Sequence, residues 1–256
     1  MHTDASAPQP AAASPALVLT YGVVSYLIFF ATFLYLIGFV GGFAVPVTLD
    51  VGGATSSTGT AIAINVLLLG IFAVQHTIMA RRGFKEWWTR ICPVPMERST
   101  FVLITSLLLI LMVVEWRPLP EVIWNVGNEA VRGVIWVAFA AGWGIVLLST
   151  FLIDHFDLFG LKQSVLFARG KEYEQPHFQE RLLYRVCRHP LMLGFLIAFW
   201  AAPTMTQGHL LFAVVTTVYI LIAIQIEEHG LIAAHGDSYA DYRRRVSMLM
   251  PRPPRA

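Results

Sequence analysis

The sequence contains little charge. Asp, Glu, Lys and Arg make up 13% of its 256 residues, about half the roughly 25% that is usual in soluble domains. The net charge is only +2, and there is neither a basic stripe with interleaved aromatic residues nor zinc-ligand spacing. We therefore exclude a nucleic-acid-binding protein, which carries a marked basic surface. Hydrophobic residues make up 56% of the chain, which indicates an integral membrane protein with one bundle.

Cysteine is also scarce. Cys92 and Cys187 lie far apart, and both fall in segments that we assign below to the cytoplasmic side. Free thiols are therefore expected, without a disulfide framework. The eight histidines are scattered, and only His229 and His235 lie close together. Since a membrane di-iron centre needs several clustered histidines, we expect no metal.

The N-terminal segment lacks the features of a signal peptide. Residues 1–15 are rich in Ala, Pro and Ser and carry no basic cluster, which predicts a disordered tail. The apolar run that follows is too long for the hydrophobic region of a signal peptide. We therefore expect residues 16–256 to form a single membrane domain.

Apolar runs predict the spans. A hydrocarbon core needs about 20 residues of helix, and one of the runs, Leu191–Met205, is marginal by this measure. Pro203 and the turn Thr206–His209 join it to the next run, so we interpret the pair as a helical hairpin. The prediction is an all-α, polytopic bundle of six helices. The runs are Ala16–Val45, Thr60–Ala80, Ser99–Trp116, Val131–Ile153, Leu191–Met205 and His209–Ile226.

The basic residues predict the orientation. Five lie between the second and third runs, six between the fourth and fifth, and five after the last, which leaves only Arg117 and Arg132 for the other side. Basic loops face the cytoplasm. Both termini are therefore expected there, and the functional chemistry is expected at the same face.

The motif "VQHTIMARR" carries Gln75 and His76 about one turn inside the basic edge of the second helix. Two interpretations fit. The pair either bonds to neighbouring backbone at a helix end, or His76 is an active-site imidazole, since ionisable groups at membrane depth are costly and often functional.

Two further motifs have structural interpretations. In "MERST", Glu97 favours the N-terminus of the third helix electrostatically, and Ser99 is a candidate N-cap. In "IDHFDLFGLKQ", Asp154, His155 and Asp157 follow the fourth helix. They form either a polar cap or one wall of a ligand pocket.

The motif "RHPLMLG" begins the fifth run. Proline is tolerated in the first turn of a helix, so a plain Pro-initiated helix explains it. Alternatively, the helix N-terminus receives a polar or anionic ligand beside His189. Gly194, one turn further on, permits the close approach of a ligand or of another helix.

The last motif is "IEEHGLIAAHGDSYADYRRR". Glu227 and Glu228 are predicted at the C-terminus of the last long helix, where anions are disfavoured. A solvated end explains them at little cost, whereas a ligand would give them a function. Tyr239, Tyr242 and Arg243 follow closely and suit stacking and carboxylate binding.

These two motifs together carry a resemblance. "RHP", an apolar hairpin, "EE" and "HG–SY–DYRRRV–P" are similar to the C-terminal module of isoprenylcysteine carboxyl methyltransferases and phospholipid methyltransferases. The segments "FAVQHTIMARRGFKEWW", "ERST", "DHFDLFGLKQ" and "GFLIAFWAAPTMTQGHLLFA" extend the resemblance, over nearly everything after residue 15, to methanethiol S-methyltransferases. It implies an enzyme of the bacterial cytoplasmic membrane that uses S-adenosylmethionine to methylate methanethiol to dimethyl sulfide, or hydrogen sulfide to methanethiol.

The resemblance assigns residues 184–251 to cofactor binding. His189, Pro190, Leu191 and Gly194 are expected along one wall of the pocket. Glu227 and Glu228 would accept hydrogen bonds from the cofactor, and Arg243 would hold its carboxylate. Tyr184, Tyr239 and Tyr242 would flank its adenine. We also expect Gln163 to contribute from the preceding motif.

The acceptor chemistry requires a thiolate, since a thiol is a poor nucleophile. We expect His76 to act as the base and Asp154 or Asp157 to orient its ring. The expected partners are a small thiol and the lipid bilayer, with no nucleic acid and no obligate protein partner. Two alternatives remain: a non-catalytic accessory protein like NnrU-type proteins and nurim, or a membrane reductase like the sterol reductases.

Overall fold

The computed structural model describes residues 13–174 and 180–254. The predicted disordered tail, residues 1–15, therefore lies outside the described residues except for its last three. The helices are α1 (Pro15–Gly41), α2 (Thr58–Met79), α3 (Arg82–Trp88), α4 (Val94–Glu115), α5 (Glu129–Ile153), α6 (His155–Leu158), α7 (Leu161–Ala168), α8 (Pro190–Trp200), α9 (Gln207–His235) and α10 (Asp237–Arg245). A 3₁₀ turn covers Leu182–Arg185, and the strands are β1 (Val122–Asn125) and β2 (Thr204–Thr206).

Five of these helices are long and apolar enough to cross a membrane: α1, α2, α4, α5 and α9. Polar side chains define several starts. Ser57 caps α2, Asn128 caps α5 and Thr206 caps α9, each by accepting a backbone N–H, as N-cap residues do. The prediction of five long membrane helices is thereby confirmed by length and composition.

Two predicted helix ends were wrong. Helix α4 begins at Val94, directly after Pro93, so Ser99 lies inside the helix and donates to the carbonyl of Gly160 instead of capping. Helix α9 continues to His235, where Leu231, Ala233 and Ala234 are good helix formers. Glu227 and Glu228 are therefore about two turns inside α9 and do not end it.

The predicted sixth spanning helix, Leu191–Met205, is replaced by a shorter helix and an extended segment. Helix α8 has only 11 residues, or about 16 Å at 1.5 Å per residue, and the chain after it is extended. Strand β2 pairs antiparallel with β1 from the loop between α4 and α5. The all-α expectation was therefore incomplete, because the mostly helical protein also contains one two-stranded sheet.

The bundle has two distinct ends. We call the end that contains β1 and β2 the sheet end, and the opposite one, with α3, α6, α7 and α10, the α10 end. The large aromatic core lies toward the sheet end, where Trp116, Phe39 and Phe212 pack edge to face. Helix α1 begins and α9 ends at the α10 end, which also carries every described Lys and Arg except Arg117 and Arg132.

Helices α5 and α8 pack backbone to backbone. A Cβ on Gly194 would lie 2.7 Å from the carbonyl oxygen of Gly142, and one on Gly142 would lie 2.7 Å from the nitrogen of Ala198. Both positions therefore require glycine. The close approach predicted at Gly194 is made by a neighbouring helix, which fixes the first turn of α8 at the α10 end.

Candidate active site

Glu228 is a buried carboxylate at the centre of a charge cluster. Arg188 Nε lies 2.7 Å from its Oε1, His189 Nε2 lies 3.1 Å from the same oxygen, and Arg243 Nε lies 3.1 Å from Oε2. We call these four residues the Glu228 cluster. A buried charge is tolerated only with good partners. Three cationic or polar partners from two segments, Arg188–His189 and α10, therefore hold Glu228 in place.

Local backbone pairing brings the partners together. The N–H groups of Arg188 and His189 donate to the carbonyls of Ser247 and Met248. Arg188 also donates from its guanidinium to Val246 O. The segment that follows α10 thus lies along the segment that precedes α8. This arrangement places the first turn of α8 beside the last third of α9.

Glu227, the neighbouring residue, is open. Its side chain is 49% exposed, against 1% for Glu228, and the nearest basic group is His189 Nδ1 at 3.7 Å. Burial raises the pKa of the nearby Tyr184 phenol, and the charge of Glu227 raises it further. Glu227 is therefore the carboxylate that remains available to a ligand.

The first turn of α8 faces the same region. Pro190 has no N–H, and the N–H groups of Leu191 and Met192 make no backbone hydrogen bond within residues 13–174 and 180–254. Such groups are the ordinary donors of a helix N-terminus. Together with His189 and Glu227, they present donors and an acceptor side by side, which suits a polar ligand.

The two tyrosines of α10 are placed differently from the prediction. Tyr239 and Tyr242 are buried with Val246 in a small cluster against α9, and the Tyr242 hydroxyl donates to Tyr184 O at 2.6 Å. Burial raises the pKa of both phenols. In this conformation both rings are part of the packing, and the adenine contact stays a prediction.

His76 lies in a second region, between α2, α4 and α9. Its ring stacks on Phe72, with centroids 5.4 Å apart, and contacts Phe101 at 5.0 Å. Its Nδ1 is buried and has no hydrogen-bond partner among the described residues. Such an unsatisfied buried atom costs stability, so a ligand that pairs with it would be favoured.

The two regions are connected through Tyr219 of α9. Its ring contacts Phe72 edge to face, and its hydroxyl lies 3.5 Å from Thr77 Oγ1, one residue after His76. Glu227 lies about two turns further along the same helix. His76 and Glu227 therefore belong to one continuous region at the α10 end.

The predicted orienting pair for His76 is not formed. Asp154 accepts from Lys162 Nζ at 2.6 Å and from the N–H of Asp157. Burial alone would raise the pKa of Asp154, but these bonds outweigh it and lower the pKa. Asp157 accepts from Gln163 Nε2 at 3.3 Å, and burial raises its pKa. Both carboxylates, with Gln163, thus serve the α6–α7 turn, and neither bonds to His76.

His155 has a structural role that sequence reasoning left open. Thr150 donates its hydroxyl hydrogen to Leu147 O, so its oxygen accepts from His155 Nδ1 at 2.8 Å. The other ring nitrogen then accepts from the Tyr26 hydroxyl at 2.9 Å. The ring therefore joins α1 to the end of α5 as a neutral tautomer, and burial lowers the pKa of His155 accordingly.

Sequence reasoning missed two residues. Arg188 was quoted in "RHP" without a role, although the buried Glu228 depends on it. Arg98 stands between Glu97 and Ser99, and its Nε donates to Leu158 O at 2.8 Å. The available signal in both cases was a cation at the edge of an apolar run, which has to find a partner.

Known proteins similar to this chain carry one recurrent name. A methanethiol S-methyltransferase of Mycobacterium tuberculosis is 55% identical over 239 residues, covering 93% of this chain and 98% of that protein. One of Pseudomonas deceptionensis is 45% identical over 254 residues, covering 98% and 96%. Bovine nurim is 30% identical over 172 residues, covering 64% and 65%.

Two other comparisons gave no match. No protein-family model matches the chain, and no solved structure is significantly similar to it. The full-length relatives therefore carry the assignment.

Proposed function

Because this chain belongs to the methanethiol S-methyltransferase family, we propose that it transfers a methyl group from S-adenosylmethionine to the sulfur of methanethiol and releases dimethyl sulfide. The chain is a multi-pass membrane methyltransferase. The specific proposal depends on the contrast between Glu227 and Glu228. Glu228 is held in ion pairs, whereas Glu227 is exposed beside the N-terminus of α8.

The residues around Glu227 fit the polar groups of this cofactor. An open carboxylate accepts hydrogen bonds from an ammonium or from ribose hydroxyls and favours a sulfonium electrostatically. The N–H groups after Pro190 and the ring of His189 supply donors. The side chain of Arg243 is 43% exposed beyond its pairing with Glu228, which leaves room for a carboxylate. When bound, the cofactor supplies an electrophilic methyl group.

His76 is the group that we propose as the general base. A base has to reach the thiol directly or through one water, and the unpartnered Nδ1 of His76 is free to accept a proton. The rings of Phe72 and Phe101 enclose it with apolar surface, which suits a small alkyl thiol. Asp154 and Asp157 are not part of this step, since both serve the α6–α7 turn.

We further propose that the α10 end faces the cytoplasm of a bacterium. The concentration of basic residues at this end supports this orientation. Both termini would then be cytoplasmic, with α8 and the extended segment to β2 acting together as the sixth crossing. The polar cofactor would enter from the cytoplasm, and the apolar thiol would enter through the lipid.

The test is the detection of volatile products. Purified protein in detergent is given S-adenosylmethionine and methanethiol in a closed vial, and the headspace is analysed by gas chromatography. We expect dimethyl sulfide in proportion to enzyme and cofactor, and none without the cofactor. A vial with hydrogen sulfide tests whether methanethiol is also a product. A stable protein that binds the cofactor but forms neither product would refute the proposal.

A further inference from the structure

Two basic side chains at the α10 end have no carboxylate partner among the described residues. Arg98 lies in the second turn of α4 and Lys85 lies in α3, and neither forms an ion pair with any residue that the structure describes. In the Glu228 cluster, by contrast, both arginines are paired. Unpaired cations at a membrane edge are ordinary when they are fully exposed. The surroundings of each side chain therefore have to be considered.

Arg98 is half-buried. Its guanidinium carbon lies 5.1 Å above the centroid of the Phe101 ring, and its Nε donates to Leu158 O at 2.8 Å. A guanidinium has five N–H donors. The terminal N–H groups of Arg98 make no hydrogen bond to a residue within 13–174 or 180–254. These donors lie beside the Phe101 ring and are available to a ligand that accepts hydrogen bonds.

Lys85 supplies a second charge from α3, directly after Phe84, whose ring packs against the cluster that contains Phe101. Burial lowers the pKa of the Lys85 ammonium, and the positive charge of Arg98 lowers it further, while Glu97 acts in the opposite direction. The groups that interact electrostatically with Arg98 come from every neighbouring element and are His76, Lys85, Glu97, Asp157 and Tyr173. The two carboxylates among them are not ion-paired with Arg98, so their compensation is incomplete.

The Phe101 ring brings this pair to His76. One ring contacts both the His76 imidazole, at 5.0 Å between centroids, and the Arg98 guanidinium. The buried Nδ1 of His76, which has no hydrogen-bond partner among the described residues, therefore lies near a cation that forms no ion pair with them. A ligand that gives a proton to His76 and places a negative charge beside Arg98 would pair with both side chains.

We propose that Arg98, assisted by Lys85, binds the methyl acceptor as its thiolate beside His76. This inference rests on the methyltransferase function proposed above. The thiol proton moves to a ring nitrogen of His76, and the sulfur keeps the electron pair. That pair forms the new S–CH₃ bond, while the bond between the methyl carbon and the sulfonium sulfur breaks and leaves its pair on the cofactor sulfur. A nearby cation favours the anion and so lowers the pKa of the bound thiol.

The surroundings favour a small thiolate over the carboxylate of the cofactor. Phe72 and Phe101 line this region, and apolar rings match an alkyl sulfur better than an amino acid group. The half-exposed Arg243 lies instead in the Glu228 cluster, next to the open Glu227. It is the better placed cation for the cofactor carboxylate.

The first measurement is independent of catalysis. Thiocyanate, a small anion with a sulfur end, is titrated into purified wild-type protein, Arg98→Gln, Lys85→Met and Arg82→Gln, and its binding is followed by infrared absorption of its C≡N group. Arg82 is the matched control, because its side chain is 92% exposed and paired with Glu86. We expect Arg98→Gln to weaken binding roughly tenfold to a hundredfold and Lys85→Met about fivefold, with Arg82→Gln unchanged.

The second measurement is the pH profile of methyl transfer. Without Arg98, the half-maximal rate should move upward by about one pH unit, while the affinity for S-adenosylhomocysteine stays the same. Equal thiocyanate binding in the wild type, Arg98→Gln and Lys85→Met would overturn the inference. So would a loss of S-adenosylhomocysteine affinity with an unchanged pH profile, which would assign these cations to the cofactor carboxylate.

These outcomes separate the two proposals. If Arg98→Gln does not fold, the binding result for Lys85→Met decides. Thiocyanate binding that depends on these residues, in a wild-type protein that forms no methylated sulfur product, refutes the proposed function and supports the anion site. Product formation with the same pH profile and thiocyanate affinity in all variants refutes the anion site alone.

Discussion

The Glu228 cluster and the His76 region are close neighbours at the α10 end. They differ in how far their charged and polar groups are paired. Glu228 has three charged or polar partners within 3.1 Å, although its Oε2 pairs with Arg243 without forming a hydrogen bond. In the other region, Nδ1 of His76 and the terminal donors of Arg98 have no partner among the residues described. Because removing one partner of a buried ion pair is costly, we interpret the ion-paired set as the part that holds the fold and the set without ion pairs as the part that receives ligands.

The same contrast occurs between two adjacent residues. Glu227 and Glu228 differ by one position on α9, so their side chains point about 100° apart around the helix. One carboxylate faces the partners supplied by the chain, and the other faces open space beside α8. Substitutions in the ion-paired set should therefore affect mainly stability, and substitutions in the other set should affect mainly binding.

The largest effect is expected at His76. General base catalysis contributes about 10²–10⁴-fold, so His76→Ala should lower turnover of methanethiol by that factor at pH 7. Affinity for S-adenosylhomocysteine should be nearly unchanged. Higher pH supplies more thiolate from solution and should partly restore the rate. The exposed His229 gives a control, His229→Ala, which should behave as wild type. Wild-type turnover in His76→Ala at pH 7 would remove this residue from the mechanism.

The next effect concerns stability. Breaking a buried ion pair by removing one partner costs about 3–5 kcal/mol, so Glu228→Gln should lower the free energy of unfolding by that amount. Denaturant unfolding in detergent, followed by circular dichroism, measures it. Glu86→Gln removes an exposed carboxylate that pairs with Arg82 and should change stability little. If both variants were equally stable, the ion pairs of Glu228 would not hold the fold as described above.

A smaller effect is expected at the α6–α7 turn. The Lys162 hydrogen bond contributes to the lowered pKa of Asp154 against the effect of burial, so the ion pair stabilises the protein above the ordinary Asp pKa of about 3.9. That contribution is lost as the pH falls through the lowered pKa. Because both side chains are about one-third exposed, Lys162→Met should cost at most about 1 kcal/mol at pH 7. Thermal unfolding at neutral and acidic pH should show the difference shrinking in acid.

The sequence was sufficient for the long helices and insufficient for their connections. Uninterrupted apolar runs define α1, α2, α4, α5 and α9, since length and hydropathy are local properties. The pairing of β1 with β2 joins residues about 80 apart, and no local pattern encodes it. The predicted sixth helix was too long for the same reason: the end of α8 is determined by this distant strand.

The candidate site was predictable in position and less so in roles. His76, His189 and Glu227 lie at one end of the bundle, as the motifs indicated. Glu227 and Glu228 are indistinguishable in sequence, because the difference depends on Arg188 and Arg243, which come from other segments. Asp154 was predicted to orient His76, but Lys162, eight residues further on, is its partner. The roles thus depended on contacts between segments.

The central claim is that Glu227 binds the cofactor and Glu228 builds the site. The most direct measurement is isothermal titration calorimetry of S-adenosylhomocysteine into wild-type protein and Glu227→Gln, with denaturant unfolding of both. We expect Glu227→Gln to weaken binding roughly tenfold to a hundredfold, since a charge-assisted hydrogen bond contributes about 1.5–3 kcal/mol, with stability unchanged. Wild-type affinity in a folded Glu227→Gln variant would contradict the account.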